Sequence, residues 1–287
     1  MLEGYRSGES TPGQQTFPGS AMLELDFAAL SDVGKLREHN EDCLGHVVPG
    51  SNGKARERGW LFALADGVGG QDRGEVASRI AIETLQSGFQ DYRANESPAG
   101  CLQRLIQAAN TQIYETAAAT GPDASSMCTT IVACLFRFDR VTVANVGDSR
   151  CYLIRGGRAE QLTHDHSLVE EQVRMGILTP DEAAESDRRH LLSRSLGVNG
   201  IVNVDLNEHQ VLPGDILLLS SDGFHGSLTA AEIAIAVCQL EDLNQCVRRL
   251  IALALERDGS DNISVQLIRI KQVERMGMYR GRPYKLS

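Results

Sequence analysis

Two short runs of the chain are almost wholly apolar, Trp60 to Ala65 (WLFALA) and Ile216 to Ser221 (ILLLSS). Runs of this length and character read as buried strands. Each leads straight into an Asp-Gly pair, Asp66-Gly67 and Asp222-Gly223. Further strands are predicted near 23–30, 129–136, 141–146, 150–154 and 263–270. Helical spacing appears in Gly74 to Phe89, where Val76, Ala77, Ile80, Ala81, Thr84 and Leu85 share one face. Pro98 to Ala119 places Leu102, Leu105, Ile106 and Ile113 in the same way, and two more helices are predicted near 229–238 and 243–257. Thr179-Pro180-Asp181-Glu182 combines a Thr N-cap, Pro at the first helical position and Glu at the third, which starts a helix over about 180–190. Strands, then paired helices, then strands predict an α+β fold of packed layers, not a doubly wound parallel sheet. No internal repeat of fixed period is present.

The same pattern sets the boundaries. Residues 1–21 are rich in Gly, Ser, Pro and Gln without hydrophobic period, and are expected to form a disordered leader or an appended tail. One packed domain is expected over 22–271, followed by a basic tail at 272–287, within which Arg275 to Lys285 is expected to be loose. Within the domain, the polar stretch 164–197 reads as an excursion from the core.

Composition narrows the function. Of 287 residues, 42% are hydrophobic and 23% charged, as in an ordinary globular protein with a sizeable core. A formal charge of −10 argues against nucleic acid or an anionic membrane as a general partner. An anionic substrate would need local cations, either Arg or bound metal. The seven cysteines are scattered, with no CxxC pair, which fits reduced thiols better than a disulfide framework or a zinc site. No apolar run approaches the roughly 20 residues that span a bilayer, and no signal peptide opens the chain. The expected location is the cytoplasm.

Three acids at strand ends carry the chemistry: Asp66, Asp222 and Asp261, the last opening DNISVQLIRI. Mg²⁺ and Mn²⁺ take oxygen ligands, keep several waters and need only a few carboxylates. Gly67 lets the backbone bring a carbonyl close to such an ion. An Asp-Gly pair after an apolar strand can also be a hairpin turn, but both pairs here are followed by helical patterns. A second cluster, Arg37-Glu38-His39-Asn40-Glu41-Asp42, joins a phosphate-binding cation to an acidic pair, although such clusters are commonly solvated loops. Gly147-Asp148-Ser149-Arg150 is a turn between two strands, and Asp148 is a further candidate ligand. These residues predict a metal-dependent hydrolase.

Taken together, Arg37…Glu41-Asp42, Asp66-Gly67-Val68-Gly69-Gly70, Gly147-Asp148-Ser149-Arg150, Ser221-Asp222-Gly223 and Asp261-Asn262 resemble, in order, the motifs of the type-2C metal-dependent protein phosphatases, the PPM family. The resemblance spans about Leu23 to Ile270. GEVAS after the second motif, Leu162-Thr163…Asp165-His166-Ser167 and Ser193-Arg194-Ser195-Leu196-Gly197 look like bacterial members. It implies a two-layer antiparallel β-sandwich flanked by helices (α/β/β/α) in a single catalytic domain, with a dinuclear Mn²⁺ or Mg²⁺ centre at one end. Asp66 would bridge both ions and the Gly67 carbonyl would bind one. Asp222 and Asp261 would bind the other, while Glu41 and Asp42 hold metal-bound waters. Arg37 would grip the substrate phosphate. Asp148, with Asp222, matches a third, weaker metal site, and 164–197 matches a flap beside the active site.

The resemblance therefore implies a serine/threonine phosphoprotein phosphatase that uses activated water and no covalent intermediate. Its substrates would be phosphorylated proteins, those of a Ser/Thr kinase. A related hydrolase of small phosphoesters or phosphodiesters, and a catalytically silent regulatory member, are the alternatives. A silent member would have lost metal carboxylates, and all are present. Two positions depart from the pattern. Val68 stands where some relatives carry His, so no proton donor to the leaving group is found there. Cys128 stands where relatives usually have Gly. His39 beside the Arg37 cluster reads either as a proton shuttle or as an ordinary surface histidine.

Overall fold

The structure is a computed structural model that describes residues 22–68, 73–92, 96–120, 127–186, 188, 191–279 and 282–285. The leader 1–21, Gly69 and Gly70 lie outside the described residues, as do Arg189 and His190. The chain opens with β1 (Glu24–Asp32), β2 (Asp42–Val47), α1 (Asn52–Arg58) and β3 (Trp60–Val68). The helix pair α2 (Arg73–Phe89) and α3 (Pro98–Thr120) follows. Next come β4 (Cys128–Thr129), β5 (Ile131–Arg137), β6 (Arg140–Val146), β7 (Arg150–Arg155) and β8 (Arg158–Gln161). The excursion holds α4 (Leu168–Arg174) and α5 (Pro180–Glu185). After it come β9 (Asp205–Gln210), β10 (Ile216–Ser220), α6 (Asp222–His225), α7 (Ala230–Cys238), α8 (Leu243–Arg257) and β11 (Ile263–Gln272). A terminal hairpin, β12 (Met276–Tyr279) and β13 (Arg282–Lys285), ends the described chain.

Two antiparallel sheets result. One runs β1-β11-β10-β7-β8; the other runs β2-β3-β5-β6-β9, with β4 added to β3. Alternation along a strand divides its side chains between two faces. On β3, Phe62 and Leu64 enter the space between the sheets, where they meet Leu217 and Leu219 of β10 and Ile268 of β11. Leu61, Ala63 and Ala65 point the other way, into a core with Ala77, Ala81, Leu85, Leu102, Ile106 and Ile113 of α2 and α3. On the opposite sheet, Ile216, Leu218, Val265 and Leu267 pack against Ile233, Val237, Val247 and Leu250 of α7 and α8. The order of layers is helices, sheet, sheet, helices, as expected. Covering both faces of a sheet explains why WLFALA and ILLLS carry no polar alternation.

The structure also corrects the sequence reading in detail. The strand expected to stop at Ala65 continues through Asp66, Gly67 and Val68, because Gly67 and Val68 pair with Thr129 and Cys128 of β4. The helix expected over 180–190 stops at Glu185, with Ser186 already extended. Its start is as read: Thr179 Oγ1 accepts from Glu182 N and the Glu182 carboxylate caps Thr179 N in return. Strand β11 reaches Gln272, and Glu274 is buried against Arg56. Strands β2, β8, β9, β12 and β13 were not anticipated. Among the described residues no helix is long and apolar enough to cross a membrane.

Candidate metal centre at the end of the sandwich

Strand pairing puts the first two acids side by side. Asp42 opens β2 directly opposite Asp66 on β3. Asp66 continues the Phe62–Leu64 face, so both carboxylates cap the core between the sheets. The Asp66 backbone is locked on both sides: its carbonyl accepts from Thr130 N and Thr129 Oγ1, both at 2.8 Å, and its N–H donates to Thr130 Oγ1 at 3.0 Å. Gly67 follows because nothing larger fits. A Cβ there would lie 2.2 Å from the Gly74 carbonyl oxygen and 2.7 Å from that of Glu41. Its N–H donates to the Glu41 carbonyl at 3.1 Å, which draws the Glu41-Asp42 pair onto β3.

The other sheet supplies the remaining acids. Asp222 is the first residue of α6, and the N-capping Ser221 spends its hydroxyl on β11, accepting from Ser264 N at 2.9 Å. Gly223 is part of this helix. A Cβ there would meet the Asn262 carbonyl oxygen at 2.3 Å, so α6 lies tight against the 261–262 backbone. Asp261 accepts Arg37 Nη2 at 2.7 Å through Oδ2 and its neighbour's N–H, that of Asn262, at 2.8 Å through Oδ1. Asp148 sits in the turn between β6 and β7, buried, with its carbonyl facing His225 Nε2 at 3.0 Å. Burial lowers the His225 pKa to about 4, so the ring is neutral and donates through Nε2. All eight residues singled out in the sequence therefore meet at one end of the sandwich.

Their charges are mutually unfavourable. Burial raises Asp66 well above the ordinary carboxylate value, and Asp42, Asp222, Asp148 and Asp261 add to the rise. Asp42 is pushed up to about 7 by burial; the nearby Ser264 and Ser221 hydroxyls pull it down, and Asp222 and Asp261 push it up again. Asp148 is likewise pushed to about 7, by burial first and then by Asp222 and Asp165. Arg37 is raised, chiefly by its bond to Asp261, with Glu41 and Asp222 contributing.

This donor set fits hard divalent cations. It is all oxygen, it concentrates negative charge in a buried place, and both Asp42 oxygens are buried without a hydrogen-bond partner among the described residues. Among those residues no three His, Cys, Asp or Glu side chains close around a single point. Sequence reasoning gave no role to Asn262, Ser221, Ser264, Thr129 or Thr130. Ser221 and Asn262 carried a signal, their places beside Asp222 and Asp261.

A family model for protein phosphatase 2C matches residues 42–266, and the chain belongs to that family. It is 35% identical over 255 residues to the serine/threonine phosphatase stp of Listeria innocua, covering 88% of this chain and 96% of that one. It is 36% identical over 243 residues to the serine/threonine protein phosphatase PstP of Mycobacterium tuberculosis, covering 85% of this chain and 44% of PstP. Among solved structures, the PstP catalytic domain in complex with two manganese ions superposes with a TM-score of 0.75 at 33% identity, covering 87% of this chain and all of that one. Stp1 of Staphylococcus aureus superposes with a TM-score of 0.78 at 32% identity, covering 90% and 99%.

Proposed function

We propose that this chain is a Mn²⁺- or Mg²⁺-dependent phosphatase that hydrolyses phosphoserine and phosphothreonine in proteins. The observation that carries the reading is the cluster of Asp42, Asp66, Asp148, Asp222 and Asp261, of which Asp148 is buried and the others half-buried, with Arg37 at its rim. The names of the similar proteins support the substrate class. In this reading Asp66, the Gly67 carbonyl, Asp222 and Asp261 would hold the two core ions and Asp148 with Asp222 a third, while Glu41 and Asp42 would accept from the waters around them. When bound, the ions supply a water of lowered pKa and neutralise phosphoryl charge.

Arg37 binds the phosphate. Its side chain is half exposed and reaches out from Asp261, so its remaining donors can meet phosphoryl oxygens. Val68 at the rim carries no proton, so the leaving alkoxide takes its proton from elsewhere than this position. Thr129 and Thr130 hold the Asp66 peptide still, which keeps the carboxylate preorganised. The substrates are the products of Ser/Thr kinases. The free thiols of the seven cysteines support a cytoplasmic location.

The test is hydrolysis of a phosphothreonine peptide by the purified full chain. Turnover is expected with added Mn²⁺ and none after EDTA. Metal-independent turnover, or none with Mn²⁺ or Mg²⁺, overturns the reading.

A further inference from the structure

The Arg37 loop has little regular structure of its own, yet it must hold a phosphate ligand and an acidic pair in register with two sheets. Between β1 and β2 it crosses residues 33–41 with backbone groups that need partners. One side chain supplies three of them. Asn262 is 5% exposed. Its Nδ2 donates to the Val33 carbonyl at 2.9 Å and to the His39 carbonyl at 3.0 Å. Its Oδ1 accepts from Glu41 N–H at 2.8 Å. Two of these bonds bracket Arg37, at 33 and 39, and the third sets the residue that begins the acidic pair.

The same residue is fixed from its other side. Its N–H bonds the Asp261 carboxylate, and its carbonyl lies where a side chain on Gly223 would stand. Lys35 N–H also donates to the Gly259 carbonyl, at 2.6 Å, so the loop is laid along the 259–262 segment over several residues. Glu41 passes the constraint on, since its carbonyl accepts from Gly67 N–H beside Asp66. Only an amide provides two donors and an acceptor in this compass. A carboxylate has no donor, and an aliphatic residue leaves three backbone groups unpaired.

We infer that Asn262 is a positioning residue that holds Arg37 and Glu41 in place through the 33–41 backbone, so that the phosphate ligand and the Asp261 carboxylate move as one unit. The inference rests on the reading of Arg37 as the phosphate ligand. It assigns Asn262 no contact with substrate or ion.

The test compares the full chain with Asn262→Ala, Asn262→Asp, Arg37→Ala and the double variant Arg37→Ala/Asn262→Ala. Hydrogen exchange at the amides of 33–41 is expected to quicken at least about tenfold in both Asn262 variants, with the strands unchanged. With the phosphothreonine peptide and Mn²⁺, KM should rise about tenfold while kcat changes much less. In the Arg37→Ala background the same Asn262 substitution should change KM less than about twofold, because Arg37 is no longer there to misplace. A purely structural residue would instead lower the active fraction at constant KM. Unchanged exchange over 33–41, or a KM effect that persists in full without Arg37, overturns the inference. Should the Ala variant not fold, the isosteric Asp variant carries the exchange measurement. If the unaltered chain does not hydrolyse the peptide, the proposed activity fails, and the exchange result still decides the role of Asn262.

Discussion

Arg37 Nη2 donates to Asp261 Oδ2 at 2.7 Å, a bond between residues 224 positions apart. It joins the proposed phosphate ligand to a proposed metal ligand. Both groups are partly exposed, so the pair is worth about 1 kcal/mol or less. An ion at Asp261 and the guanidinium thus draw on the same carboxylate. Arg37→Ala should leave Mn²⁺ affinity unchanged or tighten it by up to about fivefold. The same variant should lose about 10²–10³ in kcat/KM on a phosphopeptide. Calorimetric titration and steady-state kinetics on one sample read both. Weaker metal binding in the variant would show that Arg37 supports the ion rather than competing with it.

Asp66 is the most compromised of the acids, crowded by four others in a buried place. Asp66→Asn keeps its shape and removes one charge. It should abolish Mn²⁺-dependent turnover while leaving the metal-free protein as stable as the parent at pH 8, or more so, because repulsion is relieved. Scanning calorimetry in EDTA, paired with the peptide assay, checks this. Full activity in the variant would remove Asp66 from the site.

The raised carboxyls also fix a pH dependence. Asp42 and Asp148 titrate near 7 in the folded chain against an ordinary value of 3.8. The folded state thus holds protons that the unfolded chain has released. The contribution of these two groups to stability is fully present below about pH 4 and is lost as pH rises through about 7. Buried His225, lowered to about 4, works the opposite way between 4 and 6.5. Ions take the place of the carboxyl protons, so Mn²⁺ binding should release protons at pH 6.5 and fewer at pH 8, with affinity rising across that interval. Calorimetry in buffers of different ionisation enthalpy counts the protons. A proton count of zero at pH 6.5 contradicts the raised values.

Gly67 has no room for a side chain between the carbonyls of Gly74 and Glu41. Gly67→Ala must part β3 from α2 or from the Glu41 loop. A cost of about 1–3 kcal/mol is expected, with loss of turnover greater than the loss of folded protein. Urea unfolding beside activity separates the two. An alanine variant with unchanged stability would mean that the strand and helix can part freely.

How much of this was legible in the sequence depends on how local the cause was. Strands β3 and β10 were plain because burial on both faces demands an unbroken apolar run. Strand β9, DLNEHQ, was invisible because it lies at a sheet edge with mostly exposed side chains and is made a strand by pairing with β6. Strand β2 was masked by starting inside an acidic cluster, and its opening Asp42 belongs to the site as much as to the sheet. Asp66 and Asp222 stood out through the glycine after each, and Asp42, Asp148 and Asp261 through their places in short motifs. The role of Asn262 did not, since its three partners lie at 33, 39 and 41 and nothing near 262 announces them.

Thr129 links two parts of the molecule that the sequence keeps apart. Its hydroxyl holds the Asp66 carbonyl, and its backbone exchanges hydrogen bonds with Leu196, where the 164–197 excursion rejoins the core. At the other end of the excursion, His166 exchanges bonds with Gly147, next to Asp148. The excursion is thus hinged on the mounts of two of the acids. Where it is cut decides what is lost. A deletion confined between Leu168 and Leu191 spares both hinges, whereas one that takes His166 and Leu196 removes the partners of Gly147 and Thr129 beside Asp148 and Asp66.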